Sequence, residues 1–408
     1  MTLSYSTDIV VFGGGVAGLW LLNRLRSEGY SAILFESDSL GCGQTVASQG
    51  IIHGGLKYAL KGSLKGSANV LANMPARWRN CLLGCPTGNS DINLSGVQIV
   101  SDHYYMWSDT SLRSKLKAFL GSKSLSGRVR VVPKSEYPSF LANSPADGTL
   151  YQLPDFVIDS SSLIEILAGQ QPGGIYQADP SVINFLRDGS GSITGVLINR
   201  ANNPISIATQ RIIFCAGEGN QALIEKATLR NPHSQVRPLN MVYVKKRKLP
   251  PIFMHYIGGN LSLTPRLTIT SHKDKIGINT WYLGGELAES GVGKDAAEQI
   301  EAAKKLTFSV FPWIDFNDAT WGCFSINRAE ANINNNYRPD DISLVEENNV
   351  LIAWPTKLTL TPLLADKTIE TLNAAGVPIL NQGHPADLDK FFTRPGICLL
   401  YTSDAADE

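Results

Sequence analysis

Three glycines, Gly13, Gly15 and Gly18, stand in G-x-G-x-x-G spacing between an apolar run, Ile9-Val10-Val11-Phe12, and a helix-like run, Leu19 to Leu25. Residues of this kind at this spacing can hold a pyrophosphate. The first glycine permits a tight turn, the second lets the diphosphate approach the backbone, and the third lets the helix close on the strand. Val16 and Ala17 then supply N–H groups at a helix start that carries roughly half a positive charge. A second apolar run, Ser31 to Phe35, ends at Glu36, where an acid that hydrogen-bonds a ribose 2′-hydroxyl belongs. A carboxylate there would repel a 2′-phosphate. Strand, glycines, helix, strand and acid in this order predict a dinucleotide-binding βαβ unit, and leave NAD and FAD both open.

The continuation narrows the choice. Thr45-Val46-Ala47-Ser48-Gln49-Gly50-Ile51-Ile52-His53-Gly54-Gly55-Leu56-Lys57-Tyr58 resembles the second block of the flavin-dependent glycerol-3-phosphate dehydrogenases and of the wider D-amino-acid-oxidase-like superfamily. In that family such a block wraps the isoalloxazine side of FAD. Cys215-Ala216-Gly217-Glu218-Gly219 resembles the family's strand-to-helix turn beside the cofactor, and Arg338-Pro339 its "R-P" turn. Trp354-Pro355-Thr356-Lys357-Leu358-Thr359 resembles the turn into the closing helix. The resemblance spans about 370 residues with five motifs in order. It implies an α/β fold with a Rossmann-like FAD-binding domain and an antiparallel-sheet substrate domain, the two-domain architecture of the glutathione-reductase type. FAD is the implied cofactor. Its implied contacts are Gly13, Gly15, Val16, Ala17, Gly18, Glu36, Thr45, Ser48, Gln49, Gly50, His53, Gly54, Ala216, Gly217, Thr356, Lys357, Leu358 and Thr359. Pro355 has no N–H to offer, so backbone donation from the closing turn falls to Thr356, Lys357 or Leu358.

With one dinucleotide fingerprint and no second one for NAD(P)H, electrons are expected to enter from an organic substrate. Oxidising a secondary alcohol needs a hydride acceptor, a group for the hydroxyl proton, and positive charge near the reduced flavin. The family position of Lys357 suits that charge or the substrate anion. Arg338 matches the family arginine that forks onto phosphate or carboxylate. His53, in the flavin-facing loop, is the preferred base. His255, in Phe253-Met254-His255-Tyr256, is its competitor. His103, His233, His272 and His384 stand in polar or turn contexts and read as solvent histidines. Arg328 and Arg266 could each be a salt bridge or a second anion clamp. The family's glycerol-phosphate enzymes carry a further arginine where this chain has Asp340 to Asn348, acidic and without Arg.

Placing these residues requires a discontinuous framework. Residues 1–85, 153–235 and 330–380 read as the FAD-binding domain, and 86–152 with 236–329 as the substrate domain. Within them, Leu56 to about Leu83 reads as helix, 94–110 and 128–140 as strands and loops, and Ser161 to Leu167 as a helix that its serines would cap. Strands are expected at Ile193 to Asn199, Ile205 to Ala208 and Arg211 to Phe214, and a helix over Asn220 to Ala227. The meander Leu239 to Val244, Ile252 to Tyr256, Leu267 to Thr270 and Ile276 to Leu283 is the expected substrate platform. Lys245-Lys246-Arg247-Lys248 within it reads as a solvated hairpin. Asn349 to Ala353 closes the sheet as a strand, and Thr361 to Ala375 is a helix capped by Gly376.

Charge and composition exclude other classes. Of the 408 residues, 36 are Lys or Arg and 36 Asp or Glu, so no basic excess exists to neutralise nucleic-acid phosphates. With 43% hydrophobic residues the chain can bury a large core, so it is not disordered. The apolar stretch before Gly13 is far shorter than the roughly 20 residues a membrane span needs. A cytoplasmic protein is expected, with at most peripheral contact at the inner face of the membrane. The six cysteines are sparse and read as buried free thiols, and no metal site is expected. Residues 381–408 read as a tail. Its last part, Cys398 to Glu408, has the form of a translated transposon-type sequencing-library adapter and is expected to be foreign to the protein. The partners implied are a small anionic substrate and an electron acceptor, a quinone or another. An amine or amino-acid oxidase is the first alternative, and a flavin-holding tRNA-modifying or scaffold protein the second.

Overall fold

The structure is a computed structural model that describes residues 2–55, 67–85, 91–109 and 129–398, apart from 143, 146, 202, 259–263, 275 and 333–340. Ile9–Phe12 and Ala32–Glu36 are strands because each is a short apolar run bounded by turn residues, and every residue of the first is buried on both faces. They lie side by side in parallel within a six-stranded sheet. Its order is Ile175–Gln177, Ala32–Glu36, Ile9–Phe12, Arg211–Phe214, Val350–Trp354, Ser343–Glu347. All neighbours are parallel except the last pair, a hairpin. The helix Val16–Ser27 packs on one face, against Ser160–Gly169 and Thr361–Ala374. Its first turn begins earlier than Leu19 because Gly15 serves as its N-cap in an extended conformation. Asp159, not a serine, caps the helix Ser160–Gly169, accepting from Ser162 N. The opposite face of the sheet is closed by a four-stranded sheet, through apolar residues such as Val196, Ile198, Ile205 and Ile207.

The second large sheet has eight strands, in the order Thr320–Ala331, Ser234–Lys245, Asn279–Gly284, Leu267–Lys273, Met254–Ile257, Tyr104–Asp109, Gly148–Leu153, Arg130–Val131. It is antiparallel except where Met254–Ile257 meets Tyr104–Asp109. Two differences from the sequence reading have local causes. The strand expected from Ile276 starts at Asn279, because the Asp274 carboxylate captures the N–H groups of Ile276 and Ile278 in a turn. The described residues 129–140 give only the short strand Arg130–Val131, since Pro133 and Pro138 start a 3-10 turn and the helix Ser139–Ala142 instead. The helix Ala296–Val310, absent from the sequence reading, covers this sheet. Asp295 and Glu298 form its capping box.

Ser234–Lys245 and Thr320–Ala331 pair in unbroken register from Ser234 opposite Ala331 to Lys245 opposite Thr320. One end of this ribbon, at Ala329 and Ala331, is buried in the core beneath the parallel sheet. The other, at Val242 and Val244, is buried in the core of the eight-stranded sheet. Lys245 and Lys246 are not simply solvated, for they pair with Asp274 and Asp315. Of the helix expected from Leu56, the described part is Ser67–Leu82. Residues 381–397 pack onto the parallel sheet: Leu388 is fully buried and the Phe392 ring meets Phe35 and Tyr176. The reading of buried free thiols is corrected at four positions: Cys42 and Cys398 are joined by a disulfide, Cys85 is exposed and Cys323 half-buried, whereas Cys81 and Cys215 are buried and free. One partner of that bond belongs to the stretch expected to be adapter-encoded.

His272 corrects another expectation. It is buried, with Nε2 against Thr270 Oγ1 at 3.1 Å and its ring 5.0 Å from that of Tyr282. Burial lowers its pKa from 6.5 to about 4, with Asp159 opposing the shift. Between those two values the unfolded chain binds a proton that the native chain does not, so stability falls as pH drops from about 6.5 toward 4. The loss should reach about 3 kcal/mol. His272→Gln keeps a hydrogen-bonding amide there and should flatten this acid limb in a series of melts across pH; an unchanged limb would assign it to other groups.

Candidate functional site

Each fingerprint glycine meets a specific steric demand. Gly13 has φ +109°, and a Cβ there would lie 2.6 Å from the Ala216 backbone, so the first glycine packs directly on the turn after Arg211–Phe214. A Cβ on Gly18 would lie 1.8 Å from Gly13 O, so helix and strand meet with no room for a side chain. At Gly15 the nearest obstacle is Thr45 Oγ1, 3.2 Å from such a Cβ. The backbone there is open to a group lying against the first turn of the helix. Thr45 Oγ1 also accepts from Val16 N at 3.2 Å, which sets the following loop over the helix start.

Glu36 sits at the rim of a cleft of about 400 Å³ lined by Phe12, Gly13, Phe35, Ala178, Ala216 and Leu223, among others. Its Oε2 accepts from Gly14 N, and its Oε1 from Ser37 N, Ser37 Oγ and Asp38 N. The carboxylate is thus fixed between both ends of the βαβ turn. This apolar cleft with one anchored acid fits an adenosine moiety, and the open backbone at Gly15 fits the diphosphate beside it. On those observations the residues present suit FAD.

The loop after Thr45 runs from this cleft to the eight-stranded sheet. Ser48 Oγ lies 3.1 Å from Ser160 Oγ. Gly50 turns with φ +66°, pressed so close to Ile158 O that a Cβ would lie 2.0 Å from it. Gln49 Nε2 reaches across to Thr268 O, Thr270 Oγ1 and Tyr282 O at 3.1 to 3.3 Å. His255 Nδ1 meets Thr268 Oγ1 at 2.9 Å, so the loop and His255 converge on Thr268. His53 follows on the strand Ile51–Ile52 and is half-buried. Its N–H donates to Thr359 Oγ1 at 3.0 Å, and Thr359 O accepts from Trp78 Nε1. The structure therefore brings the His53 turn against the closing turn, where Lys357 is buried and Thr356 has φ +60°. Leu358 leads into the helix Thr361–Ala374. Gly217, with φ +56°, belongs to the turn whose Ala216 N donates to Asn220 Oδ1.

Arg338 lies outside the described residues, as do Lys57 and Tyr58. Arg328 forms an ion pair with Glu289 at 3.6 Å and donates to Arg237 O. Arg266 donates to Gly258 O. His103 and His384 have partners in Gln152 and Asp389. The sequence reading missed Asp155, a buried carboxyl whose Oδ1 accepts from Gly54 N at 2.8 Å. Burial raises its pKa to about 7, the Gly54 N–H opposing. The only signal for it in the sequence was an acid inside an otherwise apolar run, Leu153 to Ile158.

The sequence model of the FAD dependent oxidoreductases, the DAO family, matches residues 8–352. The chain belongs to that family. The FAD-dependent oxidoreductase PA4991 of Pseudomonas aeruginosa is 40% identical over 378 residues, covering 92% of this chain and 93% of that protein. The crystal structure of PA4991 superposes with a TM-score of 0.83 at 35% identity over the whole of both chains. One subunit of the anaerobic glycerol-3-phosphate dehydrogenase of Escherichia coli K12 is more distant. It is 22% identical over 237 residues, 56% of this chain and 40% of that one. Glycine oxidase of Geobacillus kaustophilus shares the fold, with a TM-score of 0.63 at 15% identity over 96% of this chain and 99% of that one. This DAO-family protein is an FAD-dependent oxidoreductase. Among its described residues no helix is long and apolar enough to cross a membrane.

Proposed function

We propose that the protein is a dehydrogenase that oxidises a small anionic hydroxy compound of the glycerol 3-phosphate kind, with electrons passing on to a quinone or another acceptor. The observation that carries this reading is the hydrogen bond between His53 N and Thr359 Oγ1. It joins the two motifs that resemble glycerol-3-phosphate dehydrogenases, one bearing the candidate base and the other Lys357. The distant likeness to the Escherichia coli dehydrogenase supports the same substrate class.

Bound FAD would supply the hydride acceptor. The rest falls to the chain. Gly13, Gly15, Gly18 and the start of the helix Val16–Ser27 hold the diphosphate, and Glu36 the ribose. His53 takes the proton that the substrate hydroxyl must lose, a role an imidazole suits near neutral pH. Lys357 meets negative charge, either the substrate's or that left on the reduced cofactor. Arg338 is the candidate for the substrate anion, and His255, across the Thr268 junction, is the second candidate for contact with the substrate hydroxyl.

The test is anaerobic mixing of the yellow holoprotein with glycerol 3-phosphate, with 2-hydroxy acids and with amino acids, following loss of the visible flavin band. Bleaching by a hydroxy compound, slowed at least about 100-fold in His53→Ala, is expected for a lost general base. Bleaching by amino acids alone would replace this reading with that of an amino-acid oxidase.

A further inference from the structure

The His53 turn rests on a group that its proposed chemistry has not used. Asp155 is only 3% exposed, and its Oδ1 accepts from the N–H of Gly54, the residue after His53. Burial on this scale disfavours the charge of a carboxyl, so its place in the fold calls for a compensating role. The surroundings are specific. The Tyr104 ring, wholly buried, packs edge-on against the His255 imidazole with centroids 4.8 Å apart. The Asp155 charge acts on Tyr104, adding to the burial that keeps its phenol protonated. A Cβ on Gly54 would meet Pro154 at 3.3 Å and Asp155 Oδ1 at 3.6 Å, so the turn sits directly on this acid. Arg79 lies over the ring of the next residue, Phe156, but pairs with Asp102.

We propose that Asp155 is a positioning residue of the flavin site: it anchors the His53–Gly54 turn through the Gly54 amide and joins that turn to the Tyr104–His255 pair on the sheet. The two candidate histidines, which come from different parts of the chain, thereby share one support. This rests on the reading that the His53 turn faces the flavin, but not on the identity of the substrate. Among the described residues the Asp155 charge reaches Tyr104, whose ring packs on His255, and His53 stands one residue before the Gly54 amide that Asp155 holds. Tyr104 stays neutral across the accessible range, so Asp155 and the two histidines are the ionisations to separate. An Asp155 carboxyl ionises near pH 7 in this setting. Above that it is a charged acceptor for Gly54 N–H, and below it a neutral one.

The experiment uses the reduction potential of the bound flavin, measured with redox dyes on the holoprotein at about pH 5.5 and about pH 8.5, two values chosen on either side of that ionisation. Asp155→Asn keeps an acceptor oxygen for Gly54 N–H but cannot ionise. Its potential should match the wild type at the acid pH and lie above it at the alkaline pH, because a negative charge disfavouring reduction is gone. When His53→Gln is added both to the wild type and to Asp155→Asn, the same pH-dependent difference should persist between the two. Equal potentials at both pH values, or an offset that is the same at both, would overturn the proposal. So would a difference that vanishes with His53→Gln, since it would then be the histidine's. Should Asp155→Asn fold poorly, Asp155→Ser offers a smaller acceptor for the same comparison. None of these readouts requires turnover, so failure of every hydroxy compound to bleach the flavin would leave them standing.

Discussion

Gly18→Ala should lose most of its flavin and melt well below the wild type. The added methyl would lie 1.8 Å from the carbonyl oxygen of Gly13 and 3.0 Å from its carbon, both backbone atoms. Neither can turn aside as a side-chain end could. The helix Val16–Ser27 must therefore lift off Ile9–Phe12, whose residues are buried. Forcing volume into so tight a contact costs about 3 kcal/mol, the upper part of the range for overpacked cores. Lifting the helix also withdraws its N-terminal N–H groups from the diphosphate, so affinity for FAD falls together with stability. The ratio of visible to ultraviolet absorbance of the purified protein and its melting temperature measure the two effects. A variant as yellow and as stable as the wild type would show that the helix can shift at no cost.

Arg77→Met should be the second severe lesion, and for an electrostatic reason. Arg77 Nε donates to Asp91 at 2.6 Å, and its Nη1 and Nη2 donate to the two oxygens of Asp366 at 2.6 and 3.0 Å. The Asp91 side chain is 1% exposed and that of Arg77 18%, so solvent can replace the guanidinium only in part. The two carboxylates raise the arginine pKa further, against the effect of burial. Removing the cation leaves buried negative charge uncompensated, which typically costs about 3–5 kcal/mol. Arg77 joins the helix Ser67–Leu82 to Thr361–Ala374, the helix that follows the Thr359 turn, so the damage reaches the support of His53. Denaturant unfolding should show the loss, and Arg77→Met combined with Asp91→Asn should recover part of it. A drop below about 1 kcal/mol would place this network among surface pairs that contribute little.

The parallel sheet was legible because its strands are short apolar runs that need cover on both faces. Ile9–Phe12, Arg211–Phe214 and Val350–Trp354 carry that pattern in the sequence itself. The fingerprint was legible because glycine spacing encodes steric demands that are local to one turn. His272 was not, since the polar Ser271-His272-Lys273 reads as a turn after Thr270, whereas the strand runs on to Lys273 and buries His272. Asp155 left still less trace. Its partner Gly54 and the Tyr104 phenol that its charge reaches are far from it in the chain and meet it only in three dimensions. Gln49 is similar: nothing near it in sequence names Thr268 or Tyr282 as partners.

The long ribbon of Ser234–Lys245 with Thr320–Ala331 bears on how the molecule comes apart. The same pair of strands lends side chains to the core under the parallel sheet and to the core of the eight-stranded sheet. Neither core can be dissolved without stripping apolar surface from the other, and the shared hydrogen bonds leave no joint at which one could open alone. The two sheets are thus bound into one cooperative unit, and calorimetry of the flavin-free protein should record a single transition whose van't Hoff and calorimetric enthalpies agree.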